Sequence, residues 1–178
     1  MPPLIKLIRP AHWIKNAFVA VPFFFSGDFT VEDIDEVVIG FITFSLLCSM
    51  VYIINDWCDL EADKLHLKKK HRPLASQKVS KREAIILFVS LALALVVICV
   101  VYDFSYLSLM WLALYGLINL SYSFGLKNVP ILELFLLASG FILRLVFGAT
   151  LIGTNLSPWI LVCTGLIALM LAVGKRRG

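Results

Sequence analysis

The sequence predicts an all-α fold, a multi-pass transmembrane helical bundle, and three observations carry that prediction. Sixty per cent of the 178 residues are hydrophobic and only 16% are charged. With a mean hydropathy of +0.91, that balance excludes an ordinary water-soluble domain. The apolar residues gather into stretches of the roughly 17 to 25 residues that a helix needs to cross hydrocarbon. Basic residues fall in alternate connections between those stretches, as expected of a chain that threads back and forth with its cations on one side. Helices follow rather than open strands because lipid offers the backbone no hydrogen-bond partners.

The first span, roughly 10 to 27, is interrupted by Lys15 and Asn16. Its purely apolar part, Ala17 to Phe25, is too short to cross alone, so it spans only if both polar side chains face a polar cavity inside the bundle. Five further spans are read at about 37 to 55, 84 to 102, 104 to 122, 130 to 152 and 158 to 174. Gly116, Gly140, Gly148 and Gly165 are expected where helices approach closely. Residues 1–178 read as a single domain, with no internal repeat or low-complexity linker.

Charge orients the bundle. Lys6, Arg9 and Lys15, the run from Lys64 to Arg82, Lys127, and Lys175 to Arg177 all fall on one face if the spans alternate, whereas Asp28, Glu32, Asp33, Asp35, Glu36 and Asp103 fall on the other. The expectation is a cell-membrane protein with both termini cytoplasmic. The net charge of +4 then attracts anionic lipid or a phosphorylated substrate, and no nucleic-acid partner is expected. The N-terminus lacks the compact apolar core of a removable signal peptide. Cys48, Cys99 and Cys163 lie in apolar spans and Cys58 in the polar motif after the second, so reduced thiols are expected rather than a disulfide framework.

Chemistry concentrates at Asn55-Asp56-Trp57-Cys58-Asp59-Leu60-Glu61-Ala62-Asp63, which ends the second span on its cytoplasmic side. On a helix the spacings of three and four set Asp56, Asp59 and Asp63 along one face beside Asn55, with Glu61 elsewhere. Three carboxylates on one face repel one another, and a hard divalent cation relieves that repulsion. Mg²⁺ commonly takes one or two carboxylates and completes its shell with water and phosphate oxygens, so the motif reads as a Mg²⁺–diphosphate site. Arg72, braced by Pro73 in the basic loop that follows, is the leading cation to close over a phosphate, against the plainer reading that the loop only anchors topology. Tyr122 and Lys127 end the fourth span at the same face. Each is read either as lining the pocket or as an interfacial anchor, with Glu133 near enough in sequence to compensate Lys127. Arg144 sits deep in an apolar span, where an arginine costs about 2.5 to 3.5 kcal/mol to insert, so it needs an interior partner. Glu133 is one candidate for that role. Lys175 and Arg176 return to the cytoplasmic edge, as site residues or as a stop-transfer signal.

The motif Asn55-Asp56-x-x-Asp59-x-x-x-Asp63 resembles the first aspartate-rich motif of the UbiA superfamily of intramembrane prenyltransferases. Several other stretches resemble the branch of decaprenyl-phosphate phosphoribosyltransferases: Arg9-Pro10-x-x-Trp13-x-Lys15-Asn16, Asp63 through Arg72-Pro73-Leu74-Ala75-Ser76, Tyr122 with Lys127, Gly140-Phe141-x-Leu143-Arg144, and Gly174-Lys175-Arg176. The resemblance implies a Mg²⁺-dependent transfer of 5-phosphoribosyl from phosphoribosyl diphosphate to a polyprenyl (decaprenyl-like) phosphate lipid, with release of diphosphate. It further implies that Asp56 and Asp59 bind the metal and Asp63 completes the acidic cluster. Lys15, Asn16, Arg72, Tyr122, Lys127, Arg144, Lys175 and Arg176 would hold phosphate or ribose, with Asn55 beside the metal. Leu67 stands where the family usually has Pro, Gln77 where it often has Gly, and Glu133 where Asp is common. The six spans are roughly two-thirds of the family's usual nine, so a chain supplying the remaining helices, or a homo-oligomer, is an expected partner. Two other readings compete: a prenyltransferase moving a polyprenyl group from its diphosphate to an aromatic acceptor, and a truncated membrane protein without turnover.

Overall fold

A computed structural model describes residues 2–27, 30–129 and 131–177, with the side chains of 128 and 175–177 outside the description. The described residues form helices and turns with no strand. A short helix α1 (Pro3–Ile8) leads into a 3₁₀ segment (Pro10–Ala20) and α2 (Val21–Ser26). There follow α3 (Val31–Cys58), α4 (Leu60–Leu65), α5 (Lys81–Val101), α6 (Tyr106–Ser123), α7 (Leu132–Leu151) and α8 (Pro158–Arg177).

The helix starts are written in local chemistry. Thr30 accepts from the backbone of Asp33 while Asp33 accepts from that of Thr30, and Ser80 and Glu83 do the same at α5, so each helix begins in a reciprocal capping box. Three helices, α3, α5 and α7, are long and apolar enough to cross a membrane unaided. The interrupted first stretch is wound differently. Pro22 has no N–H to offer the Phe18 carbonyl, which accepts from Val21 instead. Wound at about 2 Å per residue, the 3₁₀ segment together with α2 reaches about 31 Å, the thickness of the hydrocarbon core.

Helices α3 and α7 form the centre. Between them the 3₁₀ segment and α6 close a core of Val19, Phe44, Cys48, Leu112, Tyr115, Leu143 and Phe147. A smaller cluster of Leu7, Ile53, Leu74, Val79 and Ala84 ties α1 and the loop after α4 to the end of α3. Of the four glycines expected at close approaches, Gly148 is one: a Cβ there would stand 2.0 Å from the Val19 carbonyl oxygen. At Gly140 it would meet Arg144 at 3.2 Å. Gly116 and Gly165 would meet only ordinary contacts, at 4.0 and 3.6 Å, so those two are not packing constraints.

Candidate active site at one end of the bundle

Along the apolar α3 runs a polar stripe of Ser45, Cys48, Ser49, Tyr52, Asn55 and Asp56, recurring at helical spacing. It supports two layers, centred on Asp56 and on Cys48, about 12 Å apart along the axis.

In the outer layer Asp56 is 2% exposed. Its Oδ1 accepts from a guanidinium nitrogen of Arg9 and, at 3.1 Å, from Nη1 of Arg72. That same Nη1 donates to Oδ2 of the buried Asp63 at 2.7 Å. The Lys127 ammonium pairs with Asp59 Oδ1, and Asn55 Nδ2 donates to Asp59 Oδ2 at 3.3 Å. Ser123, at the end of α6, donates to Asn55 Oδ1 at 3.3 Å. Four stretches of chain thus meet here. Arg72 is aimed by a turn closed between its carbonyl and the Ser76 amide at 2.9 Å, with Pro73 and Leu74 buried beneath. His66 accepts from the amides of Lys68 and Lys69 and so organises the loop, outside the cluster.

This arrangement changes the expected three-carboxylate array. Helix α3 ends at Cys58 and Asp59 is the junction, although the backbone ladder continues from Asp59 to Asn55 at 3.0 Å and from Asp63 to Asp59 at 2.8 Å. Each carboxylate turns to a cation rather than to its neighbours, and among the described residues no group of three or more His, Cys, Asp or Glu converges on one metal position. Desolvated carboxylates need a compensating charge, and arginine and lysine supply it here. The residues nevertheless suit magnesium. Asp56 Oδ2 is buried without a hydrogen-bond partner, and a hard ion that takes one or two carboxylates and fills its shell with phosphate oxygens needs no all-protein cage. Glu61 stands apart. It is exposed and accepts from Lys64 at 2.7 Å, a bond that holds its pKa below the usual carboxylate range.

Other expected pairings resolve differently. Glu133 does not compensate Lys127; it accepts from the Tyr122 hydroxyl at 3.3 Å, and Lys127 belongs to Asp59. Arg144 does not pair with Glu133, which lies about 16 Å earlier along α7. Its partners, in the inner layer, are neutral: Asn16 Oδ1 at 2.8 Å, the Gly140 carbonyl at 2.6 Å, the Tyr115 hydroxyl at 3.0 Å and Cys48 Sγ at 3.3 Å. The guanidinium also lies 5.0 Å from the Phe44 and Tyr115 ring centroids, a cation–π cage that offsets its desolvation. Asn16, fully buried, donates to Ser45 at 2.9 Å. The expected inward-facing pair therefore splits. Asn16 enters this network and Lys15, about a third of a 3₁₀ turn away, is exposed. The side chains of Lys175 and Arg176 lie outside the described residues.

The model of the UbiA prenyltransferase family matches residues 16–174. The chain belongs to that family. This UbiA chain is 35% identical to the decaprenyl-phosphate phosphoribosyltransferase of Corynebacterium glutamicum, across 97% of itself and 53% of that protein. It is 36% identical to the enzyme of the same name from Mycolicibacterium smegmatis, across 97% of itself and 55% of that protein. It therefore spans about half the length of these relatives. A UbiA homologue from Archaeoglobus fulgidus, solved bound to DMAPP and Mg²⁺, superposes with a TM-score of 0.80 at 19% identity, over 97% of this chain and 62% of that one, and shows the shared fold.

Arg9, Ser123, Tyr115 and Cys48 were not among the expected site residues of this UbiA chain. Arg9 stands in the sequence as an orientation charge and opens the motif Arg9-Pro10-x-x-Trp13-x-Lys15-Asn16, without a site role of its own. Tyr115 and Ser123 have a legible signal: with Asn119 they recur every four residues on α6, a polar stripe facing the one on α3 that contains Cys48, with Asn119 bonded to the Tyr115 carbonyl and Ser123 to that of Asn119.

Proposed function

We propose that this chain forms the metal and donor site of a membrane-embedded phosphoribosyltransferase. The reaction breaks the bond between the ribose anomeric carbon and the diphosphate of phosphoribosyl diphosphate. A new bond forms between that carbon and a phosphate oxygen of a polyprenyl, decaprenyl-like phosphate, and diphosphate leaves. The observation that carries this reading is the cluster of Asp56, Asp59 and Asp63 threaded with Arg72 and Lys127, with one buried carboxylate oxygen of Asp56 left unpartnered. The names of relatives at 35 and 36% identity support the choice of ribose donor.

Asp56 and Asp59 would hold the ion, with Asp63 fixing Arg72. Magnesium chemistry in such a site is neutralisation of the departing diphosphate. Arg72 and Lys127 redirect their N–H groups onto phosphate oxygens as charge builds on the leaving group. The donor bears a 5-phosphate as well as a diphosphate and needs a second set of cations, for which Lys15, Lys175 and Arg176 stand in the matching family motifs, and Tyr122 would hold phosphate or ribose. Asn16 and Arg144 act from below by fixing the 3₁₀ segment. The acceptor phosphate is already an anion and needs no general base. The one-sided distribution of lysines and arginines supports a site on the cytoplasmic side.

Membranes carrying the protein together with the further helices the family fold expects, supplied with labelled phosphoribosyl diphosphate, polyprenyl phosphate and Mg²⁺, are expected to yield a lipid-soluble labelled product. The 178-residue chain itself is expected to bind the labelled donor with Mg²⁺, to lose that binding in Asp56→Asn, and to keep it in Glu61→Gln. Turnover of a polyprenyl diphosphate with an aromatic acceptor instead, or equal damage from Glu61→Gln, overturns the assignment.

A further inference from the structure

Among the described residues, three carboxylates in the outer layer meet three cations, Arg9, Arg72 and Lys127. Charge is therefore balanced before any ligand arrives, and a divalent cation with a diphosphate can enter only if existing pairs exchange partners. The three cations differ in how firmly they are held. Arg72 bridges two carboxylates through one nitrogen, whereas Arg9 engages Asp56 alone, and does so at the oxygen Arg72 already serves.

The backbone at Arg9 is built to present this side chain. It adopts a left-handed conformation, φ 51° and ψ 60°, at the junction of α1 and the 3₁₀ segment. That geometry is costly for a residue with a Cβ, by about 1–2 kcal/mol, and persists where surrounding contacts enforce it. Both flanks are pinned to α3: Ser49 donates to the Ile8 carbonyl at 3.0 Å, Trp13 Nε1 donates to Ser49 at 3.1 Å, and His12 lies 3.1 Å from the Tyr52 hydroxyl. Leu7, fully buried, anchors α1 from below. The Arg9 guanidinium lies 4.7 Å from the Tyr52 ring centroid, a surface along which a planar cation can turn without losing its partner face. Its side chain is 17% exposed, against 1% for that of Asp56.

We propose that Arg9 is a substrate-binding cation of this site, which neutralises Asp56 until a metal–diphosphate arrives and then transfers its guanidinium fork to the diphosphate. This rests on the donor-site reading above. Asp56, with its Oδ2 free of hydrogen bonds, would hold the ion beside the Arg9 guanidinium, whose charge opposes it, and the accompanying diphosphate is the anion to which a guanidinium fork is matched. Arg9 therefore opposes binding of the bare ion and favours binding of the ion with its anion. A residue serving only to brace α1 has no reason to act with opposite signs on the two.

The experiment measures binding of Mn²⁺ alone, by electron paramagnetic resonance, and of inorganic diphosphate in the presence of Mn²⁺, by calorimetry, to the 178-residue chain in lipid. Arg9→Gln is expected to bind Mn²⁺ about threefold tighter or better, because a competing positive charge is gone. It is expected to bind diphosphate about tenfold weaker or worse, because a charge-assisted bond is lost. Arg9→Lys keeps the charge without the fork: Mn²⁺ affinity close to wild type and diphosphate affinity between the other two are expected. Arg82→Gln, an exposed cation of α5, changes neither. Losses of both affinities together in Arg9→Gln and Arg9→Lys, or no change in either, overturn the role of Arg9 while leaving the donor site standing. A wild-type chain that binds neither probe overturns the donor-site reading and this inference with it.

Discussion

Replacing Gly148 by alanine tests the contact that sets the position of the first segment. The added Cβ would lie 2.0 Å from the Val19 carbonyl oxygen, 2.8 Å from its carbon and 3.1 Å from its Cα. All three atoms are backbone, so no rotamer change relieves the overlap, and the 3₁₀ segment has to retreat by more than about 1 Å to restore ordinary contact. Overpacking of this kind costs about 1–3 kcal/mol, against a gain of about 1 kcal/mol from the better helix propensity of alanine. Gly116→Ala provides the matched control, since its nearest neighbour would be the Leu47 Cδ1 at 4.0 Å. The control is expected to be neutral or up to about 1 kcal/mol more stable, so the two variants should differ by about the whole overpacking cost. Reversible unfolding in mixed detergent micelles measures that difference. A second readout follows from the chain itself. Asn16 lies one 3₁₀ turn before Val19 and holds Arg144, which in turn covers the buried Cys48 thiol. Retreat of the segment should therefore expose Cys48 and speed its alkylation in Gly148→Ala alone. Equal stability of the two variants, with Cys48 equally protected, would refute the reasoning.

Cysteines introduced at Lys69 and at Glu32 are expected to label with a membrane-impermeant reagent from opposite sides, Lys69 from the cytoplasm, and labelling of both from one side defeats the proposed orientation. Gln77→Gly should stabilise the protein by about 0.5–1 kcal/mol, because Gln77 occupies φ 57°, where a side chain costs about 1–2 kcal/mol and glycine returns part of that as unfolded-chain entropy. A lower unfolding midpoint in Gln77→Gly would show that the side chain has contacts worth more than its strain.

The position of Gln77 illustrates what a sequence can convey. The family resemblance implies glycine there, but the physical reason, a left-handed turn in the loop that aims Arg72, needs coordinates. The long helices were legible because their interiors are uniformly apolar, whereas their starts were not: hydropathy begins the spans near 37 and 84, and the capping boxes of Thr30 with Asp33 and Ser80 with Glu83 carry the helices back to Val31 and Lys81. Composition disclosed less where hydropathy and winding part company: the stretch through Lys15 and Asn16 reads as a span only if both polar side chains face inward, and the 3₁₀ winding that turns Asn16 in and leaves Lys15 exposed has no signature in hydropathy.

Pairing was the least legible layer, and for a physical reason. Lys127 has a carboxylate six residues ahead, Glu133, and another 68 residues behind, Asp59. Proximity along the chain favours the first, yet the 3₁₀ turn over Leu126–Asn128 directs the ammonium back across the bundle to the second. Arg144 poses the same problem in the opposite sense. A buried arginine suggests a buried carboxylate, whereas this one is satisfied by an amide, a carbonyl, a phenol and a thiol from four different segments, none acidic at neutral pH in isolation. Leaving that cation without a carboxylate keeps all three aspartates at the interface for cations that can be exchanged. Had Arg144 drawn one of them inward, the outer layer would hold more cations than anions and would resist a divalent ion. On the proposed reading, the separation into a neutral-ligand layer and an ionic layer is what leaves the acidic motif able to serve as a metal–diphosphate site.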